Sequence, residues 1–190
     1  MGDEMELDQA IHERRAVREY TPQSVDEATL RQLIEAATLA PSAVNEQPWL
    51  FTVIRDKALL ARISAAGKAA ALAAPLAGVP PHYLQEMLEN PAFDILYHAP
   101  VLIVISSATE GRWAVENCAL AAENLMLAAR AFGLGTCWIG FAQAWINTPE
   151  GKAALGLPPD CLAVAPIIVG HPASFPPPVR REAPKINWIG

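Results

Sequence analysis

A chain of 190 residues with 52% hydrophobic residues and a formal net charge of −6 is long enough for one domain with a sizeable core. That acidity argues against a broad nucleic-acid face, and no run of about 18 uncharged apolar residues exists to suggest a membrane span. The acidic start, Met1-Gly2-Asp3-Glu4-Met5-Glu6, has the character of neither a signal nor a transit peptide, and the three distant cysteines Cys118, Cys137 and Cys161 read as buried thiols, so a cytoplasmic location is expected.

From the N-terminus, Leu7, Ala10 and Ile11 fall at helical spacing and predict a short helix that leads into Arg14-Arg15-Ala16-Val17-Arg18. Three cations in five positions are unusual in an acidic protein, and they are answered by Arg180, Arg181 and Lys185 near the C-terminus. Two such clusters suit a small anion such as a phosphate, which a guanidinium grips with two prongs. The same cations equally suit a solvated helix C-terminus.

A second helix is expected after Ser24 or Asp26, with Leu30, Leu33, Ile34, Ala37 and Ala40 as its apolar stripe and Pro41 as its stop. The loop Ala40 to Trp49, bounded by Pro41 and Pro48, runs into a strand at Trp49 to Ile54. Asp56 to Ala66 reads as helix. Residues 67–98 mix alanines, prolines and a helical stretch around Tyr83 to Leu88, and they are expected to be the variable region of the domain.

Pro100 to Ser106 is the clearest strand and Trp113 to Phe132 the clearest helix, with Gly133 as its C-terminal cap. In that helix only Glu116, Glu123 and Arg130, with Asn117 and Asn124 beside them, interrupt an apolar surface. It should therefore be central and meet water along a narrow stripe. Thr136 to Ile139 and Cys161 to Val169 are further strands, with a short helix at Glu150 to Leu155. Five prolines between 172 and 184 forbid regular structure in most of the tail, whose Ile186, Trp188 and Ile189 suggest an arm laid across a surface. With no linker or repeat, 1–190 reads as a single α+β domain. Its high apolar content points to a covered face, most simply that of a homodimer.

Several chemistries lack their motifs. Gly133, Gly135 and Gly140 follow a helix instead of opening one, so no dinucleotide fingerprint is present, and no P-loop, HExxH or GxSxG occurs. The histidines His12, His82, His98 and His171 are scattered, so no metal site is expected. An anion site without an acid–base set suits a protein whose chemistry resides in a phosphorylated cofactor.

Four segments together resemble the flavin-dependent nitroreductase family. Arg14 to Arg18 is similar to its RRSVR segment, Ala40 to Trp49 to its APSxxNxQPW loop, and Gly133 to Gly140 to its GLGTCWIG turn. Pro166 to Pro172, followed by Arg180-Arg181, resembles its closing strand and basic tail. The resemblance implies a three-layer α-β-α subunit with a mixed, mostly antiparallel sheet around a buried helix, in an intertwined homodimer with FMN at the interface. It implies that Arg14 and one or both of Arg180 and Arg181 hold the phosphate, with Arg15 and Ala16 lining the same pocket. Arg18 would lie near the flavin N1–C2=O edge, the backbone of Trp138, Ile139 and Gly140 would pass the ring, and Pro41, Ser42, Asn45 and Gln47 would come from the loop of the other subunit. Ala16 departs from the family serine. For Ser42 and Asn45, local turn capping is the alternative role; for Trp138, core packing.

The implied activity is transfer of hydride from NADH or NADPH, through FMN, to a nitroaromatic, quinone or similar small acceptor. A flavin-storage protein and a specialised enzyme such as a dehalogenase are the alternatives on the same fold. Residues 67–98 would cap the flavin, offering His82, Tyr83, Phe93 and Tyr97.

Overall fold

The computed structural model describes residues 5–73, 81–108 and 111–190, with the side chains of 81–84 outside the description. The N-terminal residues 1–4 and the part of the expected cap at 74–80, with the side chains of His82 and Tyr83, therefore lie outside the described residues.

Helix α1 (Leu7–Glu13) is followed by α2 (Glu27–Thr38), whose N-terminus is capped by Asp26 accepting the Thr29 N–H at 2.8 Å. A single 3-10 turn at Ala43–Asn45 precedes β1 (Trp49–Ile54). Helix α3 (Lys57–Ala73) runs seven residues past the expected end because its alanines, poor in sequence signal, are the best helix formers. Then come α4 (Pro81–Glu89), β2 (Val101–Ser107), α5 (Ala114–Ala131), β3 (Gly135–Trp138), α6 (Gly140–Ile146), α7 (Pro149–Leu155) and β4 (Leu162–Gly170). The sequence reading has no counterpart to α6, since Gly140 looks like a breaker there and instead starts the helix.

The four strands form one sheet in the order β1-β2-β4-β3, every neighbouring pair antiparallel, and a lone parallel bridge joins Ala16 to Thr136. All seven residues of β2 are buried, as a strand covered on both faces must be. Alternation sorts its side chains: Val101, Ile103 and Ile105 pack with α2 and α5, whereas Leu102 and Val104 pack with α3, α6 and the 93–99 segment. The result is three layers, helix on sheet on helix.

Helix α5 is the element the rest surrounds, touching α1, α2 and three strands. Ala121, Ala122 and Ala129 let it lie close to the sheet, and Gly133, at φ 71°, closes it by donating to Arg130 O. The expected narrow polar stripe is a correction: Leu120 and Val115 share the outward face with Glu116 and Glu123 and are about half exposed in the single chain. After Gly170 the tail has no regular secondary structure, as its prolines require, and its large apolar side chains Ile186, Trp188 and Ile189 stand in solvent.

Candidate cofactor site

The arginine segment is held where a helix end meets an edge strand. Arg14 N–H donates to Ala10 O and closes α1. Arg15 Nη1 donates to His12 O and Arg14 O, both at 2.7 Å, so this arginine caps the helix. The chain then runs beside β3, where Val17 N–H donates to Thr136 O at 2.9 Å. Gly135 is required here by proximity: a Cβ on it would lie 2.7 Å from Val17 Cβ. Two motifs more than a hundred residues apart are thereby stitched together. Tyr20 completes the join, its hydroxyl donating to Val17 O at 2.8 Å and its backbone bridging Pro172 at the root of the tail.

Charge is arranged around this seam. Arg14 Nε lies 3.2 Å from Glu123 Oε1 on α5, and Arg130 pairs with Glu13 and stacks 4.1 Å over the Phe175 ring. The amide of Gln9 and the Arg130 guanidinium hold the Glu13 carboxyl below its ordinary range. Arg14 is mostly buried, its Nε has no hydrogen bond, and its terminal Nη pair makes none among the described residues. A guanidinium anchored on one edge and unpartnered on the other suits an incoming anion.

Next to the seam is a cleft of about 190 Å³ lined by Arg18, Tyr97, Cys137, Trp138, Ile139, Gly140 and Phe141. Arg18 sits 5.8 Å from the centroid of Tyr97, which in turn meets Phe93 edge-on at 5.6 Å. Tyr97 and Phe93 are the two aromatic residues of the expected cap that are described, and Tyr97 forms a wall of the cleft. Among the described residues, apart from its own chain neighbours and helix backbone, nothing lies within 4 Å of where a Gly140 Cβ would stand, so the backbone there is open to close approach. Burial pushes the Cys137 thiol up, opposed in part by Arg18 and Arg14, which keeps it protonated and unsuited to nucleophilic work. Among the described residues no cluster of metal-ligating side chains occurs. The cleft can bind and polarise a ligand; it holds no acid–base pair to do chemistry alone.

The remaining expected site residues are elsewhere. Pro41, Ser42, Asn45 and Gln47 lie in the loop before β1, on the opposite edge of the sheet from β3. Pairing of Trp49 with Ser107, of Ser107 with Leu162, and of Trp138 with Ile167 puts the loop and the cleft roughly 20 Å apart, from strand spacing and rise. Within the loop, Gln47 N–H donates to Ser42 Oγ at 3.0 Å and Gln47 Nε2 to Asn45 Oδ1 at 3.0 Å, so the local-capping role is real. Val44, Asn45 and Gln47 all have left-handed backbone. Arg180 and Arg181 are exposed in the tail and make no hydrogen bond or ion pair with the described residues of this chain. Of the expected residues, Arg18, Trp138, Ile139 and Gly140 line one cleft, Arg14, Arg15 and Ala16 lie in the segment joined to β3 beside it, and the loop residues lie at the other edge of the sheet.

Sequence reasoning passed over Asn117. This α5 side chain is 2% exposed; its Oδ1 accepts the Ala43 N–H at 2.9 Å, its Nδ2 donates to Glu46 at 3.2 Å, and its backbone oxygen accepts Trp49 Nε1 at 2.9 Å. The available signal was a carboxamide within an otherwise apolar helix surface.

Comparison with known proteins bears on the family and the fold. The profile of the Nitroreductase family matches residues 11–171. A protein of Archaeoglobus fulgidus bearing the name NADH dehydrogenase/NAD(P)H nitroreductase is 30% identical over 162 residues, 85% of this chain and 83% of that one. The crystal structure of a nitroreductase with bound FMN from Bacteroides fragilis superposes with a TM-score of 0.83 at 27% identity, covering 98% of this chain and 100% of that chain. An iodotyrosine deiodinase bound to FMN and 3-iodo-L-tyrosine shares the fold, with a TM-score of 0.78 at 22% identity over 97% of this chain and 100% of that one.

Proposed function

This chain belongs to the nitroreductase family, and we propose that it is an FMN-dependent oxidoreductase that takes hydride from NADH or NADPH and reduces a nitroaromatic, quinone or similar small acceptor. The observation that carries the reading is the seam itself, where the arginine segment is hydrogen-bonded to the start of the turn that lines the cleft. The residues present fit the cofactor. Arg14, whose terminal Nη pair makes no hydrogen bond among the described residues, would offer that edge to a phosphate, and the open backbone at Gly140 would leave room for a flat ring. Arg18 would bring positive charge to the ring, and Trp138, Ile139 and Gly140 would flank it.

FMN, when bound, would supply the hydride chemistry. The chain's part is to bind, orient and polarise. Arg18, which lines the cleft, would place positive charge beside the bound ring and so would favour its reduced, negatively charged form. The cleft is small, about 190 Å³, which supports donor and acceptor using the same space in turn, with ping-pong turnover.

The site is completed by a second copy. The Pro41 to Gln47 loop, about 20 Å from the cleft of its own chain by strand geometry, would serve the partner's cleft, and the tail with Arg180 and Arg181 would embrace the partner. Leu39, 78% exposed, and Trp188, 86% exposed, support a covered face. No described helix is long and apolar enough to cross a membrane. The buried thiols of Cys118 and Cys137 support the cytoplasmic setting proposed for the chain.

The test is titration of the purified protein with FMN, followed by rapid mixing with NADH or NADPH while the flavin absorbance is watched. A yellow dimer with one FMN per subunit that bleaches on mixing is expected. Protein that neither carries nor acquires a flavin spectrum overturns the reading.

A further inference from the structure

We infer that Asn117 is a positioning residue for the cofactor site of the partner subunit, acting across the interface through the Pro41 to Gln47 loop. The inference rests on the two-copy FMN site proposed above.

Asn117 sits in the first turn of α5, beneath the loop; its backbone N–H stays in the helix, donating to Trp113 O, while both ends of its side-chain carboxamide are directed at the loop. One end of the carboxamide accepts from Ala43 N–H, the other donates to the Glu46 carboxylate, and the backbone oxygen receives the Trp49 indole N–H. These bonds bracket the three residues held in left-handed backbone, Val44 at φ 46°, Asn45 at 58° and Gln47 at 47°. For a β-branched valine that conformation is strained and persists only when its surroundings impose it. Val44 itself is 91% exposed, so no packing within this chain imposes it. The buried carboxamide does so from below, with the Ser42–Gln47 bond closing the turn. A loop held in a strained shape with its apolar tip in solvent is shaped for something outside its own chain.

The consequence is a separation of address. Residues that build a chain's own cleft lie at the β3 edge; Asn117, with the loop it supports, lies at the β1 end and serves the other cleft. A residue with a merely structural role would disturb its own subunit, whereas Asn117 should disturb its neighbour's.

The experiment uses differently tagged full-length subunits, one Arg14→Ala and one Asn117→Ala, refolded or co-expressed as mixed dimers and titrated with FMN after removal of flavin. Each homodimer should bind FMN at least about tenfold more weakly than wild type, the scale expected when a buried hydrogen-bond partner or a charge-assisted one is lost. The mixed dimer should recover one site of wild-type affinity, built from the intact arginine cradle of the Asn117→Ala subunit and the intact loop of the Arg14→Ala subunit. No wild-type site in the mixed dimer, or unchanged FMN affinity in the Asn117→Ala homodimer, overturns the inference. If wild-type protein itself binds no FMN or is monomeric, the underlying reading fails, which is visible before any variant is made. If Asn117→Ala does not fold, Asn117→Asp keeps the acceptor for Ala43 and replaces the donor to Glu46 with a like charge; the same mixed-dimer recovery is expected, and its absence counts equally against the inference.

Discussion

Replacing Arg14 by alanine separates phosphate binding from every other use of the arginine segment. Its side chain is 24% exposed and rests against Glu123, 48% exposed, at 3.2 Å. A half-exposed pair of that kind contributes about 0–1 kcal/mol, so the fold should survive with a melting temperature lowered by at most about 2–4 °C. The lost contacts to a phosphate are larger, since a charge-assisted hydrogen bond is worth roughly 1.5–3 kcal/mol, and Glu123 is left facing the incoming anion without its cation. FMN affinity should fall about ten- to a hundredfold. Riboflavin has the same ring and no phosphate, so its affinity should change by less than about threefold. The assay is titration of flavin-free protein with each flavin, by fluorescence quenching at fixed ionic strength because screening alters such contacts. An equal loss for both flavins would show that Arg14 shapes the ring pocket, and an unchanged FMN affinity would remove the phosphate from this cluster altogether.

Gly151→Ala places a methyl 2.1 Å from Trp145 O and 2.8 Å from Ile146 Cα, backbone that cannot rotate away. Urea unfolding should register a loss of at least about 1–3 kcal/mol, and a variant as stable as wild type would contradict the packing of α6 on α7. Burial pushes the Cys118 thiol up to about 12, so it should resist a thiol reagent at pH 8 until denaturant is added; rapid labelling of folded protein would refute its burial. The Thr29 N–H and hydroxyl hold the Asp26 carboxyl below its ordinary range, so its contribution to stability is complete above about pH 4 and is lost as pH falls through the depressed folded value. Asp26→Ala should lower the melting temperature at pH 7 by more than at pH 3, and an equal drop at both would show that the charge is not the source.

Elements with one strong local signal were legible in the sequence. The apolar run within 100–106 read as a strand and is one, at Val101–Ser107, and Ser24 or Asp26 with the following stripe marked a helix start, of which Asp26 is the cap. The motifs at 14–18, 40–49 and 133–140 were also legible, because glycine, proline and arginine are placed there by backbone geometry and charge. What no local pattern contains is adjacency. That Val17 meets Thr136 depends on a sheet order in which β3 is an edge and on a glycine small enough to admit a valine. That Arg15 is spent on the end of α1 while Arg14 leans on Glu123, its Nη pair making no hydrogen bond among the described residues, depends on where α5 presents that carboxylate. Asn117 gave only the faint sign of a polar group in an apolar helix; its role follows from burial, since a desolvated carboxamide must find partners and the nearest unsatisfied backbone belonged to a loop more than seventy residues earlier. Residue types and their spacing are local properties and survive in one dimension, whereas the pairing of buried polar groups is settled only when the layers close and water is excluded.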